Sequence, residues 1–112
     1  MSRPLPDPVD AYLRVVEAVP PLSPQQELAL WRTKEEGDNS ESAKKRLIEA
    51  NLRMVIPVAF QYEGRGVVLL DLIQEGNLGL LRAIERFDPS QGREFASFAR
   101  VWIEDAIVSA VG

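Results

Sequence analysis

Apolar residues recur along this chain at helical spacing, and most runs are bracketed by a start or stop signal. Val9, Tyr12, Leu13 and Val16 fall on one helical face behind Asp7-Pro8, a capping side chain followed by a proline whose missing amide is harmless at a helix start. Val19-Pro20-Pro21-Leu22 ends that element, because proline supplies no donor and disfavours helical geometry in its predecessor. Ser23-Pro24-Gln25-Gln26 predicts a second start, with Ser23 as cap and Gln26 completing a capping box. Leu28, Leu30 and Trp31 then supply apolar contacts, and Gly37 closes the helix.

The longest pattern runs from about Glu41 to Tyr62, with Leu47, Ala50, Met54, Val58 and Ala59 as its stripe and Val55 and Tyr62 beside it. Pro57 lies inside it and cannot bond the Arg53 carbonyl, which predicts a bend there. Gly64-Arg65-Gly66 reads as a turn. A short helix from Val67 to Ile73, closed by Gly76, is expected next, then a helix capped by Asn77 that carries Leu80, Leu81, Ile84 and Phe87. Asp88-Pro89-Ser90-Gln91-Gly92 is a loop by composition. The last helix starts at about Phe95. Phe95, Phe98, Ala99, Trp102, Ile103, Ala106, Ile107 and Ala110 form its buried stripe, with Ser97, Val101, Glu104, Asp105 and Val108 opposite. No strand alternation or internal repeat interrupts this. The expected fold is all-α: one compact multi-helix domain over residues 1–112 with a long bent central helix. The apolar pattern reaches Val111, as in a piece of something longer.

Composition narrows the chemistry. The 112 residues include no cysteine and no histidine, which removes disulfides, most zinc sites and the Ser-His and Cys-His nucleophile arrangements. Neither an enzyme site nor a cofactor or metal site assembles from what remains. No apolar run reaches the length of a membrane span, and Met1-Ser2-Arg3-Pro4 lacks a secretory core, so the expected location is cytoplasmic. The net charge of −4 is unevenly placed: residues 43–66 carry Lys44, Lys45, Arg46, Arg53 and Arg65 against Glu49 and Glu63, while both flanks are acidic.

Two segments carry more than a core needs. Asp71, Gln74, Glu75 and Asn77 cluster polar side chains around a helix junction, which suits either a basic helical partner or simple capping and solvation. Phe87, Phe95, Phe98 and Trp102 surround a loop carrying Arg93. Aromatic rings there could stack on unpaired bases, or serve only the core whose periodicity they also follow.

Residues 43–112 resemble region two of the housekeeping-type sigma factors of bacterial RNA polymerase. Ile48-Glu49-Ala50-Asn51-Leu52-Arg53-Met54-Val55, the stretch from Asp71 to Asp88 and the helix from Phe95 to Ile107 carry the likeness in order and spacing. Residues 1–42, with Asp-Pro, Tyr-Leu and Pro-Leu-Ser signposts between Asp7 and Gly37, resemble the helical segment that precedes it. The resemblance implies that Asp71, Gln74, Glu75, Asn77 and Leu81, on a helix–turn–helix, bind the β′ clamp helices of core polymerase. It implies that Arg93, Phe95, Ser97, Phe98, Arg100 and Trp102 contact promoter DNA, especially the single-stranded minus-ten non-template strand. An anti-sigma factor is a further implied partner. Against the family pattern, Val101 replaces one of two paired tryptophans, and Glu94, Glu104, Asp105, Val108 and Ser109 replace residues that are usually basic or able to hydrogen-bond a base. Two functions follow as expectations: a sigma domain that binds polymerase and contacts the minus-ten element, or a sigma-like regulator that binds polymerase without productive promoter recognition. Helices for a minus-thirty-five element are not expected in this chain.

Overall fold

The computed structural model describes residues 7–112, so the start read from Met1 to Pro4 lies outside the described residues. Six α-helices follow in order: α1 Pro8–Ala18, α2 Pro24–Glu36, α3 Ser40–Asn51, α4 Val55–Gln61, α5 Leu69–Arg86 and α6 Phe95–Val111. Short 3-10 turns occupy Leu52–Met54 and Pro89–Gln91, and no strand occurs among the described residues.

The predicted start signals operate as caps. The Asp7 side chain accepts from the Val9 amide. Ser23 and Gln26 form the reciprocal capping box, each side chain accepting from the other's backbone N–H. Gly37 ends α2 at φ 88°, backbone that a side chain would strain. The link between α1 and α2 is pinned from α3 onward: Arg46 donates to the Pro20 carbonyl at 3.1 Å and Arg53 to the Val19 carbonyl at 2.7 Å. Lys44 pairs with Glu41 at 3.2 Å. Much of the central basic patch is therefore spent inside the chain.

The long central helix is interrupted earlier than Pro57. Leu52–Met54 tighten into a 3-10 turn, and α4 restarts at Val55. Pro57 then stands in the first turn of α4, where its missing amide removes no intrahelical bond.

A larger departure follows. Instead of two helices joined at Gly76-Asn77, α5 is one helix of 18 residues, beginning at Leu69. Neither glycine in it is a stop. A Cβ at Gly79 would lie 2.5 Å from the Trp102 carbonyl oxygen, and one at Gly76 would collide with Val55 and meet Ile107 Cδ1 at 3.0 Å. Both glycines let α5 approach its neighbours closely, so packing overrides the propensity cost of about 1 kcal/mol each. The core lies between α5 and α6: Leu72, Ile73, Leu80, Ala83 and Ile84 face Ala99, Ile103 and Ile107, with Leu47, Val55, Val58 and Ala59 closing it. Trp31 seats α2 on this core, with ring centroids 5.0 Å from Phe87 and 5.1 Å from Phe95.

Candidate docking face and aromatic groove

Helix α5 has one buried and one open face. At 100° per residue, Asp71, Gln74, Glu75, Leu78, Arg82 and Glu85 share the outer stripe. Asp71, Gln74, Leu78, Arg82 and Glu85 are exposed, and Glu75 is half-buried. Leu78, 46% exposed, stands at the middle of the stripe among carboxylates and amides. The five residues expected to dock a partner are thus not grouped around a turn. Asp71, Gln74 and Glu75 share the stripe. Asn77 and Leu81, both half-buried, lie on its flank, Leu81 nearer the stripe because it falls seven residues after Gln74. The Asn77 amide donates to the Tyr12 hydroxyl at 3.0 Å, and its Oδ1 is buried without a partner. Asn77 therefore fastens α1 to α5 instead of capping a helix.

The expected break at Gly76 hides Leu78, because a break resets the helical phase. In a continuous helix Leu78 falls seven residues after Asp71 and four after Gln74, on their face.

The second surface lies along α6. Arg93, Glu94, Ser97, Phe98, Val101, Trp102 and Asp105 line a groove of about 720 Å³. Four of the six residues expected at DNA are brought together there: Arg93, Ser97, Phe98 and Trp102. Phe95 is not with them. It is 6% exposed, and its ring packs on Trp31 and on Phe87 at 5.2 Å. Arg100 faces a separate groove of about 360 Å³ with Met54, Pro57, Val58, Gln61, Ala96 and Ser97.

An aromatic ladder supports the groove from beneath. Phe87 lies 5.4 Å from Phe98, and Phe98 6.1 Å from Trp102. Arg93 sits over the Phe98 ring at 5.9 Å, and Arg86 over the Trp102 ring at 5.3 Å. Arg86 comes from the end of α5, so the spacing within α6 carries no sign of it. Rings carrying guanidinium groups can both stack on bases and attract phosphate.

The loop before α6 is held by Asp88, whose Oδ1 accepts from the Ser90 amide and hydroxyl and whose Oδ2 accepts from Gln91. These bonds hold its carboxyl below the ordinary aspartate range, the Ser90 hydroxyl first among them. On the far side of α6, Glu104 accepts from the Tyr62 hydroxyl at 3.1 Å. Asp105 alone of that acidic pair lines the groove. No group of three or more metal-ligating side chains occurs among the described residues, and no helix there is long and apolar enough to cross a membrane.

Comparison with known proteins agrees with this architecture. The chain is 50% identical over 105 residues to a protein named RNA polymerase sigma factor SigA from Clostridium acetobutylicum, and 49% identical over 105 residues to one of the same name from a Bacillus species. Each alignment covers 94% of this chain and 27% of the relative, so the chain spans about a quarter of the length of these proteins. The Sigma-70 region 2 profile matches residues 47–111, from the buried Leu47 of α3 to the end of α6, which takes in both the outer stripe of α5 and the groove of α6. The chain belongs to the Sigma-70 region 2 family.

Proposed function

We propose that this chain acts in transcription initiation, docking on the β′ clamp helices of RNA polymerase through α5 and presenting α6 to the single-stranded minus-ten element. The observation that carries the reading is the outer stripe of α5. Asp71, Gln74 and Glu75 surround an exposed Leu78 that no other part of the chain covers among the described residues. An apolar centre ringed by acidic and amide groups suits a basic helical partner, with the leucine supplying buried area and the charges setting register.

On α6, Phe98 and Trp102 are the stacking rings, with Arg86 and Arg93 beside them. Phe95 supports the ladder from the core. Arg100 is available to a phosphate on the other flank.

Binding of the chain to a fragment containing the β′ clamp helices tests the first half, and capture of single-stranded minus-ten oligonucleotide by the resulting complex tests the second. Absence of clamp binding rejects the docking assignment.

One observation favours a second reading, a regulator that occupies polymerase without productive promoter contact. Glu94 and Asp105 line the groove, and Val101, 60% exposed, lacks a ring. Fewer basic groups at the phosphates release fewer counterions on binding and so weaken it, and carboxylates near phosphate add repulsion. Clamp binding with no DNA capture at any sequence, even at low salt, selects this second reading.

A further inference from the structure

We propose that Asp105 makes the Trp102 end of the α6 groove selective for an unpaired guanine base, an assignment that rests on the minus-ten reading above. Three charged residues line the groove: Arg93, Glu94 and Asp105. Arg93 is engaged over Phe98, and Glu94 precedes α6. Asp105 lies ten residues beyond Phe95, about 15 Å along a helix axis, too far for one base to meet both acids. The groove therefore has two ends.

At the far end, Asp105 sits three and four residues past Trp102 and Val101, one turn along the same face. It joins no ion pair and no side-chain hydrogen bond among the described residues. Val101 fills little of the space beside Trp102, and Arg86 over the Trp102 ring adds a cation for the phosphate of a bound nucleotide.

A base stacked on Trp102 would turn its edge toward this carboxylate, which can only accept. Guanine offers two adjacent donors, N1–H and N2–H, matched to the two carboxylate oxygens in a parallel charge-assisted pair. Adenine and cytosine offer one amino group beside a ring-nitrogen lone pair. Thymine offers one N–H between two carbonyls. In all three, neighbouring lone pairs face the carboxylate and repel it. Stacking tolerates every base, so the edge contact sets the preference.

The test uses labelled oligothymidine, all-thymine or with a single central guanine, adenine or cytosine, and measures fluorescence anisotropy with the full chain on core RNA polymerase and with the full chain alone. The guanine strand is expected to bind about tenfold or more tighter than the other three, the discrimination of one bidentate contact. Asp105→Asn, which pairs one acceptor with one donor, should erase that preference and leave the thermal midpoint unchanged. Equal capture of all four strands overturns the guanine assignment while the minus-ten reading stands. A guanine preference that survives Asp105→Asn overturns Asp105 as its source. Capture of no strand overturns the guanine assignment, and the minus-ten reading falls with it only if a minus-ten oligonucleotide is not captured either.

Discussion

Tyr62 at the end of α4 donates its hydroxyl to Glu104 Oε1 in the middle of α6, at 3.1 Å across 42 residues of sequence. The bond turns Glu104 toward α4 and away from the groove. It also holds the Tyr62 phenol above its ordinary range, with partial desolvation and the nearby Glu104 charge adding to the effect and Arg65, 5.2 Å over the ring, opposing it. A phenol whose folded pKa is raised stabilises the fold fully below its unfolded pKa of about 10, and the contribution is lost as pH rises through the folded value. Tyr62→Phe should therefore lower the thermal midpoint modestly at neutral pH, and its deficit against the parent should shrink in strong alkali. Ultraviolet titration should show one phenolate forming late, and Glu104→Gln should move that step back toward the ordinary range.

Gly79→Ala sets two effects against each other. Alanine gains about 1 kcal/mol of helix propensity over glycine. Its Cβ, however, would stand 2.5 Å from the Trp102 carbonyl and 3.0 Å from Ile103 Cα, both backbone atoms that cannot swing aside. Overpacking of this kind costs about 1–3 kcal/mol or more, so the expected result is net destabilisation in denaturant melts. Since the carbonyl belongs to Trp102, the ring's fluorescence should shift in the folded variant.

The phase of α1, the Asp7 and Ser23 caps, the Gly37 stop and the buried stripe of α6 are legible in the sequence because each is set by residues within one turn of itself. Two features are not. Gly76 reads as a stop because its reason for being glycine is the approach of Val55 and Ile107 from elsewhere in the chain, and the close approach of Trp102 to Gly79 leaves no sign in the local sequence. For the same reason Leu78 escapes notice and Asn77 reads as a cap, although Tyr12, 65 residues away, takes its amide. Phe95 and Phe98 differ by three residues and look alike in sequence, yet only the position of Trp31 makes Phe95 core and leaves Phe98 at the groove.

Reversing charge on the outer stripe of α5 should separate binding from folding. In Asp71→Lys combined with Glu75→Lys, affinity for a clamp-helix fragment should fall about tenfold or more, the effect of replacing attraction by repulsion at a charged rim. Circular dichroism and the thermal midpoint should stay near those of the parent. Neither carboxylate has an ion-pair partner within the chain among the described residues. Leu78→Ala should weaken the same binding with little salt dependence, because it removes apolar area instead of charge. If both variants bind as the parent does, the face is wrongly assigned.

The loop ahead of α6 should be sensitive to acid. With its folded pKa lowered by Ser90 and Gln91, Asp88 contributes its stabilisation above the ordinary aspartate pKa of about 3.9, and the contribution disappears as pH falls through the folded value. Asp88→Ala should be less stable than the parent at neutral pH, and the difference should close in strong acid. The groove lining at Arg93 and Glu94 follows this loop directly, so the variant should also show faster amide exchange there.

Trp31 tests whether α2, which lies outside the span matched by the family, belongs to the working domain. Its ring is 3% exposed, lies against Phe87 and Phe95, donates to Glu27 Oε1 at 3.3 Å and carries Lys34 over its face. Phe87 in turn touches Phe98, the first ring of the groove. Trp31→Ala should cost about 3–5 kcal/mol, a large share of the stability a domain of this size possesses, read as a lower denaturation midpoint. Trp31→Phe keeps a ring but loses the indole donor, and it should recover most of that loss. If α2 were only a tether, Trp31→Ala would melt with the parent and leave oligonucleotide capture unchanged. With Trp31 as the floor of the ladder, capture should weaken even under conditions where the variant remains folded, because Phe87 and Phe95 lose the partner that fixes their rotamers beneath Phe98.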